Sequence, residues 1–256
     1  MKFQILSDQH LELAKNLDFF NDSFFPEADN LLIAGDFYSH NLSFDRDKII
    51  RDKILPNWKN TVIIPGNHDF YCFSNLNCTN INASRFCSFL DVIEDSGNSV
   101  YYGNNVVVNI SGVNIVCSSL WSYIDPIDAY YFNNRMNDFR CIPNFDVDLV
   151  NSLYDESVLF LRDYFSSCVS SRNIVLSHNL PSYSLISDRW RGNDVNCYFA
   201  SNLDDFICDY SDLIPFWVHG HSHDFIDTSI LNTRFIRNPM GHPHERNCIL
   251  DFTIDV

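Results

Sequence analysis

The amino-acid sequence predicts an α/β protein in which two sheets pack face to face, with helices on their outer sides. Short apolar runs rich in β-branched or aromatic residues, typical of buried strands, alternate with segments of helix-like spacing. A strand-rich stretch with turn signals follows, and the tail from residue 225 onward repeats that antiparallel pattern. Alternating β and α elements followed by antiparallel strands favour layered sheets covered by helices.

Five apolar runs predict buried strands, at residues 3–7, 31–34, 61–64, 174–177 and 216–219. Three segments have the spacing of helices, at residues 45–55, 80–90 and 151–165. Residues 100–120 contain Gly-Asn-Asn and Ser-Gly turn signals and predict a hairpin or meander. Because there is no repeat, low-complexity tract or Pro/Gly/Ser-rich linker, we expect residues 1–256 to form a single domain.

Composition limits the class of protein. With 256 residues, 46% of them hydrophobic, the chain can bury a large core. It has no apolar stretch of about 18 residues, so we expect no membrane-spanning helix. The first apolar run is too short for a signal peptide. The nine cysteines are scattered without a C-x-x-C pair, so we expect reduced thiols in a cytoplasmic protein.

The charge balance limits the partners. The formal net charge is −16, with 17 lysines and arginines against 33 acidic residues. A protein that binds a duplex must neutralise phosphates with cationic side chains. Long nucleic acid is therefore disfavoured as a partner, whereas a small nucleotide is compatible. Bound divalent cations would offset part of the acidity.

Polar side chains follow each predicted strand. In chain order they are Asp8, His10, Asp36, Asn67, His68, His178, His221 and His223. The carboxyl ends of strands are the rim where open α/β sheets place their sites. Residues two apart on an extended segment point the same way, so Asp8 and His10 are expected to converge, as are His221 and His223.

These residues stand in motifs that resemble the calcineurin-like metallophosphoesterase superfamily. The motifs are Asp8-x-His10, Gly35-Asp36, Gly66-Asn67-His68-Asp69, the lone His178 and Gly220-His221-Ser222-His223. Residues 136–140, 189–192 and 219–224 are similar to segments of small bacterial-type members. The resemblance covers essentially the whole chain. It implies a four-layer αββα sandwich of two mixed sheets flanked by helices, and a metal-dependent hydrolase of phosphoric esters.

The resemblance also implies a dinuclear centre. One metal ion would be held by Asp8, His10, Asp36 and His223, and the second by Asp36, Asn67, His178 and His221. Asp36 would bridge two cations about 3.5–4 Å apart that clamp a hydroxide as nucleophile. Nitrogen and oxygen ligands without thiolate suit manganese first, with iron, zinc, cobalt or nickel as alternatives.

The resemblance gives His68 a catalytic role beside the ligands Asp36 and Asn67. It would stabilise the phosphoryl transition state or protonate the leaving oxygen; the alternative is that His68 only orients Asn67. No D-R-G motif follows Asp36, unlike in Ser/Thr protein phosphatases, so an acidic partner for His68 is not evident. Asn179 follows His178, where near relatives often have a second histidine.

Substrate contacts are predicted at Asn137, Arg140 and Arg191. An arginine can grip a phosphate through its bidentate fork; the alternative is that these arginines pair with nearby aspartates. The expected function is hydrolysis of a phosphodiester or phosphomonoester of a small, nucleotide-like substrate. A nuclease is disfavoured by the acidic balance. A non-catalytic protein-binding scaffold would not need the full ligand set. His242 and His244, in the Gly-His-Pro-His segment, are given no role, although they could bind metal adventitiously.

Overall fold

The computed structural model describes residues 1–38, 49–71 and 98–256. One sheet in this part has five strands: β1 (Lys2–Leu6), β2 (Asn30–Ala34), β3 (Asn60–Ile64), β4 (Ser99–Tyr102) and β11 (Thr253–Asp255). Their order is β11-β1-β2-β3-β4. β1 to β4 run parallel, and β11 is antiparallel to β1. This first sheet is therefore mixed.

The second sheet has six strands. They are β5 (Val106–Ile110), β6 (Val113–Ser118), β7 (Asn173–Ser177), β8 (Phe216–Val218), β9 (Ile226–Ile230) and β10 (Thr233–Arg237), in the order β5-β6-β7-β8-β10-β9. The four central strands are parallel, and the edge strands β5 and β9 are antiparallel to their neighbours. The prediction of two mixed sheets is confirmed.

Alternation along the strands builds the layers. Ile5, Leu32 and Val62 lie opposite one another in adjacent strands. All three are buried in the cluster between the sheets, together with Ile115 and Leu176 of the second sheet. Their chain neighbours point to the outer faces, because successive side chains in a strand alternate between the two sides of a sheet.

Helices cover both outer faces. The described helices are α1 (Ala14–Ser23), α2 (Ala129–Arg135), α3 (Asp138–Cys141), α4 (Val147–Ser167), α5 (Asn196–Phe199) and α6 (Asp204–Tyr210). Phe20 of α1 belongs to the core outside the first sheet. Phe165 of α4 and Phe206 of α6 pack with Trp217 outside the second sheet. The order helix, sheet, sheet, helix confirms the four-layer architecture.

The predicted elements compare closely with the observed ones. All five predicted strands are present within one residue at each end, and α4 contains the predicted helix at 151–165. The prediction at 80–90 lies outside the described residues. The segment predicted to be helical at 45–55 is helical in its described part, but as a π-helix (Ile50–Ile54) followed by a 3-10 helix (Leu55–Asn57) in place of a regular α-helix. Pro56 has no N–H with which to continue an α-helical ladder.

Residues 100–120 contribute strands to both sheets. Strand β4 adds to the first sheet, and residues 103–105 lead from it into β5 of the second. The β5–β6 hairpin turns at Ser111 and Gly112, whose φ angles are 49° and 86°. Positive φ at both turn residues matches the twist of the flanking strands. The expected hairpin is thus present, while the Gly-Asn-Asn signal marks a crossing between sheets.

Two further findings concern the described part. No helix there is both long and apolar enough to cross a bilayer. The cysteines within it are free thiols: Cys117, Cys141, Cys168, Cys197, Cys208 and Cys248. The other three, Cys72, Cys78 and Cys87, lie outside the described residues.

Candidate metal centre

The polar residues that follow β1, β2, β7 and β8 meet in two groups at one edge of the sandwich. The ligand atoms of Asp8, His10 and His223 all lie within 4.8 Å of one another. Those of Asp36, His178 and His221 do so too. The carboxyl ends of strands from both sheets therefore bring the predicted ligands together.

Distances between side chains fit shared cations. His10 Nε2 lies 3.2 Å from His223 Nε2. His178 Nε2 lies 3.0 Å from Asn67 Oδ1 and 3.5 Å from Asp36 Oδ2. Ligands that each lie about 2.0–2.2 Å from one ion are separated by roughly 3 Å. Asp36 Oδ2 also lies 3.8 Å from His10 Nε2, so this carboxylate stands between the two groups.

The orientation of the imidazoles gives a direct test of fit. The Nδ1 atoms of His10, His178 and His223 contact Glu12 Oε1 at 3.0 Å, the Ala34 carbonyl at 2.9 Å and Glu245 Oε2 at 2.7 Å. Each ring thereby turns Nε2 toward the centre, as metal-binding histidines do when a hydrogen bond fixes the other nitrogen.

Within the described residues, two polar atoms at the centre have no hydrogen-bond partner. Asp8 Oδ2 and His221 Nε2 are buried, and neither has a partner within the described part of the chain. A buried polar atom without a partner is costly unless a ligand satisfies it. Together with the nitrogen and oxygen donor set, these atoms show that the residues fit divalent metal ions.

Burial sets the charge states at the centre. It lowers the pKa of His10 to about 4 and lowers the pKa of His178 and His221 as well, which leaves neutral imidazoles with a free lone pair. Burial also raises the pKa of Asp36 well above its usual range, and the nearby carboxylates of Asp69 and Asp8 add to that rise. A cation between these carboxylates would relieve the repulsion.

The backbone brings the ligands together by a route other than the one predicted. The φ angles of Asp8, His10, Asp36 and His221 are 54°, 46°, 50° and 70°, in the left-handed region. The segments are therefore turned, not extended, and the expectation that extended geometry aligns Asp8 with His10 is wrong. Non-glycine residues in this region carry strain that the surroundings must hold in place, and such strain concentrates at functional sites.

Hydrogen bonds hold these turns. The N–H of His221 donates to Asp8 Oδ1 at 2.8 Å, and the N–H of His68 donates to Asp36 Oδ1 at 2.8 Å. Buried Asp69 Oδ2 accepts from the N–H groups of Asp36 and Gly66 at 2.9 and 2.6 Å. Asp69 thus ties the loop after β2 to the loop after β3.

His68 lies at the edge of the centre and has an acidic partner that was not predicted. Its Nδ1 is 3.5 Å from Glu12 Oε1, and its ring stacks on Tyr71 with centroids 4.1 Å apart. Burial alone would lower the pKa of His68, but the charges of Asp36 and Glu12 outweigh it and raise the pKa to about 9. The sequence signal was the acid two residues beyond His10.

Asp138 fixes the side chain of Asn67. Its Oδ1 accepts from Asn67 Nδ2 at 3.0 Å, and the hydroxyls of Tyr71 and Tyr198 also donate to its carboxylate. Because the amide nitrogen is engaged, Asn67 presents Oδ1 to His178. The sequence pattern did not indicate that Asp138 orients Asn67.

The predicted substrate residues are placed differently from one another. Asn137 lines a cavity of about 190 Å³ together with His68 and Asn67. Arg140 is exposed and donates to the Asn134 carbonyl at 2.6 Å. Exposed Arg191 pairs with Asp188 at 3.1 Å. Neither arginine lines the described cavities beside the centre. Their role in substrate binding stays a prediction.

His242 reaches the centre from the segment after β10. Its ring stacks on His10 with centroids 4.9 Å apart and lies 5.0 Å from the ring of His223. The backbone N–H of His242 donates to Glu245 Oε2 at 2.7 Å, and the same oxygen contacts Nδ1 of His223. The Gly-His-Pro-His sequence does not by itself indicate that His242 lies beside the predicted ligands.

Comparisons with known proteins agree with this geometry. A family model described as calcineurin-like phosphoesterase matches residues 1–225. An uncharacterised protein of Acanthamoeba polyphaga mimivirus is 28% identical over an alignment of 220 residues, and the alignment covers 78% of this chain and 76% of the relative.

Solved structures share the fold. Phosphopantetheinyl hydrolase from Mycobacterium tuberculosis superposes with a TM-score of 0.70 at 16% identity, covering 95% of this chain and 90% of the other. A Thermus thermophilus protein gives a TM-score of 0.50 at 10% identity, covering 93% and 88%. At these identities the likeness concerns the fold alone.

Proposed function

This chain belongs to the calcineurin-like phosphoesterase family, and we propose that it is a dinuclear metal-dependent hydrolase of phosphoric esters. Its substrate is a phosphodiester or phosphomonoester of a small, nucleotide-like compound. The single observation that carries the proposal is the pair of ligand groups on either side of Asp36, with the imidazole Nε2 atoms turned inward.

Residues of the chain would hold the metals as follows. Asp8, His10 and His223 would bind one ion, Asn67, His178 and His221 the other, and Asp36 would bind both. Divalent ions here, manganese first among them, would polarise the phosphoryl group and activate a water. Asp138 keeps Asn67 oriented, and Glu12 and Glu245 keep the histidines in the required tautomer.

His68 is proposed to supply the proton for the leaving oxygen. Glu12 and Asp36 favour its protonated form, and Glu12 engages Nδ1, which leaves Nε2 for the substrate. Its side chain is 25% exposed and lines the same cavity as Asn67 and Asp36, so it can contact a bound ester. A positioned proton donor of this kind contributes about 10²- to 10⁴-fold to a rate.

The test uses metal-stripped protein supplied with manganese and offered p-nitrophenyl phosphate and bis-p-nitrophenyl phosphate. The wild type should release nitrophenol only with metal. His68→Ala should lose roughly 10²- to 10⁴-fold in kcat on nucleotide esters, whose leaving alkoxide needs a proton, and less on nitrophenyl esters, whose leaving phenolate does not. Its metal content should stay unchanged. His244→Ala is the matched control, because His244 is an exposed histidine outside the ligand groups.

The substrate panel then extends to nucleotides and their cyclic and linear diesters. One structural neighbour is by name a phosphopantetheinyl hydrolase, so a phosphopantetheinyl ester belongs in the panel too. Bound manganese without hydrolysis of any ester would favour the scaffold alternative. Full activity of His68→Ala on nucleotide esters, whose leaving oxygen needs a proton, would remove His68 from the proposed mechanism.

A further inference from the structure

A second cavity opens beside the metal centre. It has a volume of about 280 Å³ and shares Phe199, His221, His223 and His242 with the cavity that contains His68. We call it the side cavity; its apolar wall is formed by Leu180, Ile186, Trp190, Val195 and Phe199. Because the two cavities share these residues, an ester bound at the centre can extend a group into the side cavity.

The aromatic walls of the side cavity are held in place. The Trp190 carbonyl accepts from Asn196 Nδ2 at 2.8 Å and from the Asn193 N–H at 3.2 Å. The Phe199 ring stacks on His221 with centroids 4.6 Å apart and 30° between the planes. Trp190 remains 44% exposed, so part of its surface is accessible to a ligand. Fixed aromatic faces favour planar or apolar groups.

The charged residues of the wall already have partners. The Arg189 guanidinium contacts both carboxylate oxygens of Asp224, through Nε at 3.1 Å and through Nη2, and it lies 5.0 Å from the Trp190 ring centroid. Glu245 accepts from His223 and His242. Among the described lining residues no arginine or lysine other than Arg189 is present. A second phosphate in this cavity would thus lack a free cation.

We propose that the side cavity binds the organic group of the ester and selects an uncharged group with a planar or apolar face, such as a nucleoside. Esters whose organic group carries a second phosphate are disfavoured. This inference rests on the proposed function, because the ester must first be held at the metal centre. It narrows the substrate class to mononucleotide-like monoesters and diesters.

Binding of phosphonates separates the two proposals. Methylphosphonate tests the metal centre alone, benzylphosphonate adds a neutral ring, and 4-carboxybenzylphosphonate adds a charge to the same shape. Calorimetry on manganese-loaded protein should give a benzylphosphonate Kd about tenfold below that of methylphosphonate. The carboxylated analogue should bind about tenfold more weakly than benzylphosphonate, because its charge is uncompensated.

Variants assign these differences to residues. In Trp190→Ala the Kd of benzylphosphonate should rise close to that of methylphosphonate. Trp190→Phe, which keeps an aromatic ring, should retain most of the preference for benzylphosphonate. Tyr130→Ala, which removes an 83% exposed aromatic outside the cavity, is the control and should change neither. Asp224→Asn should remove the carboxylate that pairs with Arg189 and so reduce the difference in Kd between benzylphosphonate and its carboxylated analogue. The metal content of this variant is measured alongside.

Each result bears on a stated part of the inference. Equal affinity for benzylphosphonate and methylphosphonate in the wild type overturns the side cavity as the site for the organic group and leaves the metal centre standing. If the carboxylated analogue binds more tightly than benzylphosphonate, the side cavity does not disfavour charged organic groups, and that part of the inference is overturned. If methylphosphonate itself does not bind to metal-loaded protein, the proposed function fails, and this inference fails with it.

Discussion

Glu12 contacts two histidines to which we assign different roles. Its Oε1 is 3.0 Å from Nδ1 of His10, a predicted metal ligand, and 3.5 Å from Nδ1 of His68, the predicted proton donor. The side chain is 9% exposed. Burial alone would raise the pKa of Glu12, but hydrogen bonds from both histidines lower it well below its usual range. One carboxylate thus contacts a predicted metal ligand and the predicted proton donor at once.

Replacing Glu12 should therefore impair both functions. Loss of such a carboxylate beside a metal-binding histidine typically costs about 10- to 100-fold in metal affinity or activity. We expect Glu12→Ala to show both losses, and Glu12→Gln, which keeps an acceptor oxygen, to be intermediate. Manganese titration and kcat measure the two effects. Exposed Glu27→Ala is the control. Unchanged metal affinity and kcat in Glu12→Ala would contradict the assignment.

Position 66 must be glycine because the neighbouring side chains leave no room for a Cβ. A Cβ there would lie 2.3 Å from Asp36 Oδ1 and 2.7 Å from His178 Cε1, closer than real Cβ contacts. We expect Gly66→Ala to lower the free energy of unfolding by more than about 2 kcal/mol and to weaken manganese binding. Denaturant unfolding and metal titration check both.

Gly112→Ala is the matched control for Gly66→Ala. A Cβ at Gly112 meets no described residue within 4 Å, although φ is +86°. Its cost should be limited to about 1–2 kcal/mol for the left-handed backbone, with metal binding unchanged. Equal losses in the two variants would show that the crowding at Gly66 has no special effect.

At the scale of single residues, the sequence predicts some members of the site and misses others. The candidate ligands could be predicted because each follows a short apolar run, a local signal. Asp138 and Asn67 are 71 positions apart, and His10 and His223 are 213 apart. Such contacts depend on how strands are ordered within and between sheets. The strand pattern alone does not give that order, so Glu12, Asp138 and His242 were not assigned to the site.

At the scale of elements, strands were easier to predict than the loops that carry the chemistry. Alternation and apolar runs located β1, β2, β3, β7 and β8 within a residue. The turn at Asp8 and His10 depends instead on hydrogen bonds from their N–H groups to the carbonyls of Gly35 and Asp36. Those partners come from another strand–loop segment, so local propensity could not predict left-handed backbone there.

Helix α4 offers a test of element stability apart from the metal site. Asp146 precedes the helix, and its Oδ1 accepts from the Leu149 N–H at 2.8 Å. We expect Asp146→Ala to lower the free energy of unfolding by about 1 kcal/mol, while Asp146→Asn keeps most of the cap. Urea unfolding measures the change, and metal-dependent hydrolysis should persist. Equal stability of all three proteins would contradict the capping role.

For the whole molecule, metal binding should be coupled to folding. The chain carries a net charge of −16, and it buries Asp8 and Asp36 next to each other at the centre. Cations that bind the folded state alone stabilise it by about 2.7 kcal/mol at a concentration 100 times the Kd. In a chain of this size that corresponds to roughly 5–10 °C in Tm.

The Asp36 carboxylate is expected to destabilise the metal-free protein by repulsion and to stabilise the metal-loaded protein by binding the ions. Asp36→Asn separates these two effects because they have opposite signs. Without metal, a neutral amide relieves the repulsion among buried carboxylates, so the variant should melt at or above the wild-type temperature. With manganese, the wild type should gain several degrees and the variant little, since one residue serves both ion positions. Thermal unfolding with and without chelator gives both quantities, and exposed Asp251→Asn is the control. A metal-induced rise in Tm as large in Asp36→Asn as in the wild type would show that Asp36 does not bridge the ions, because a shared ligand cannot be removed without weakening both.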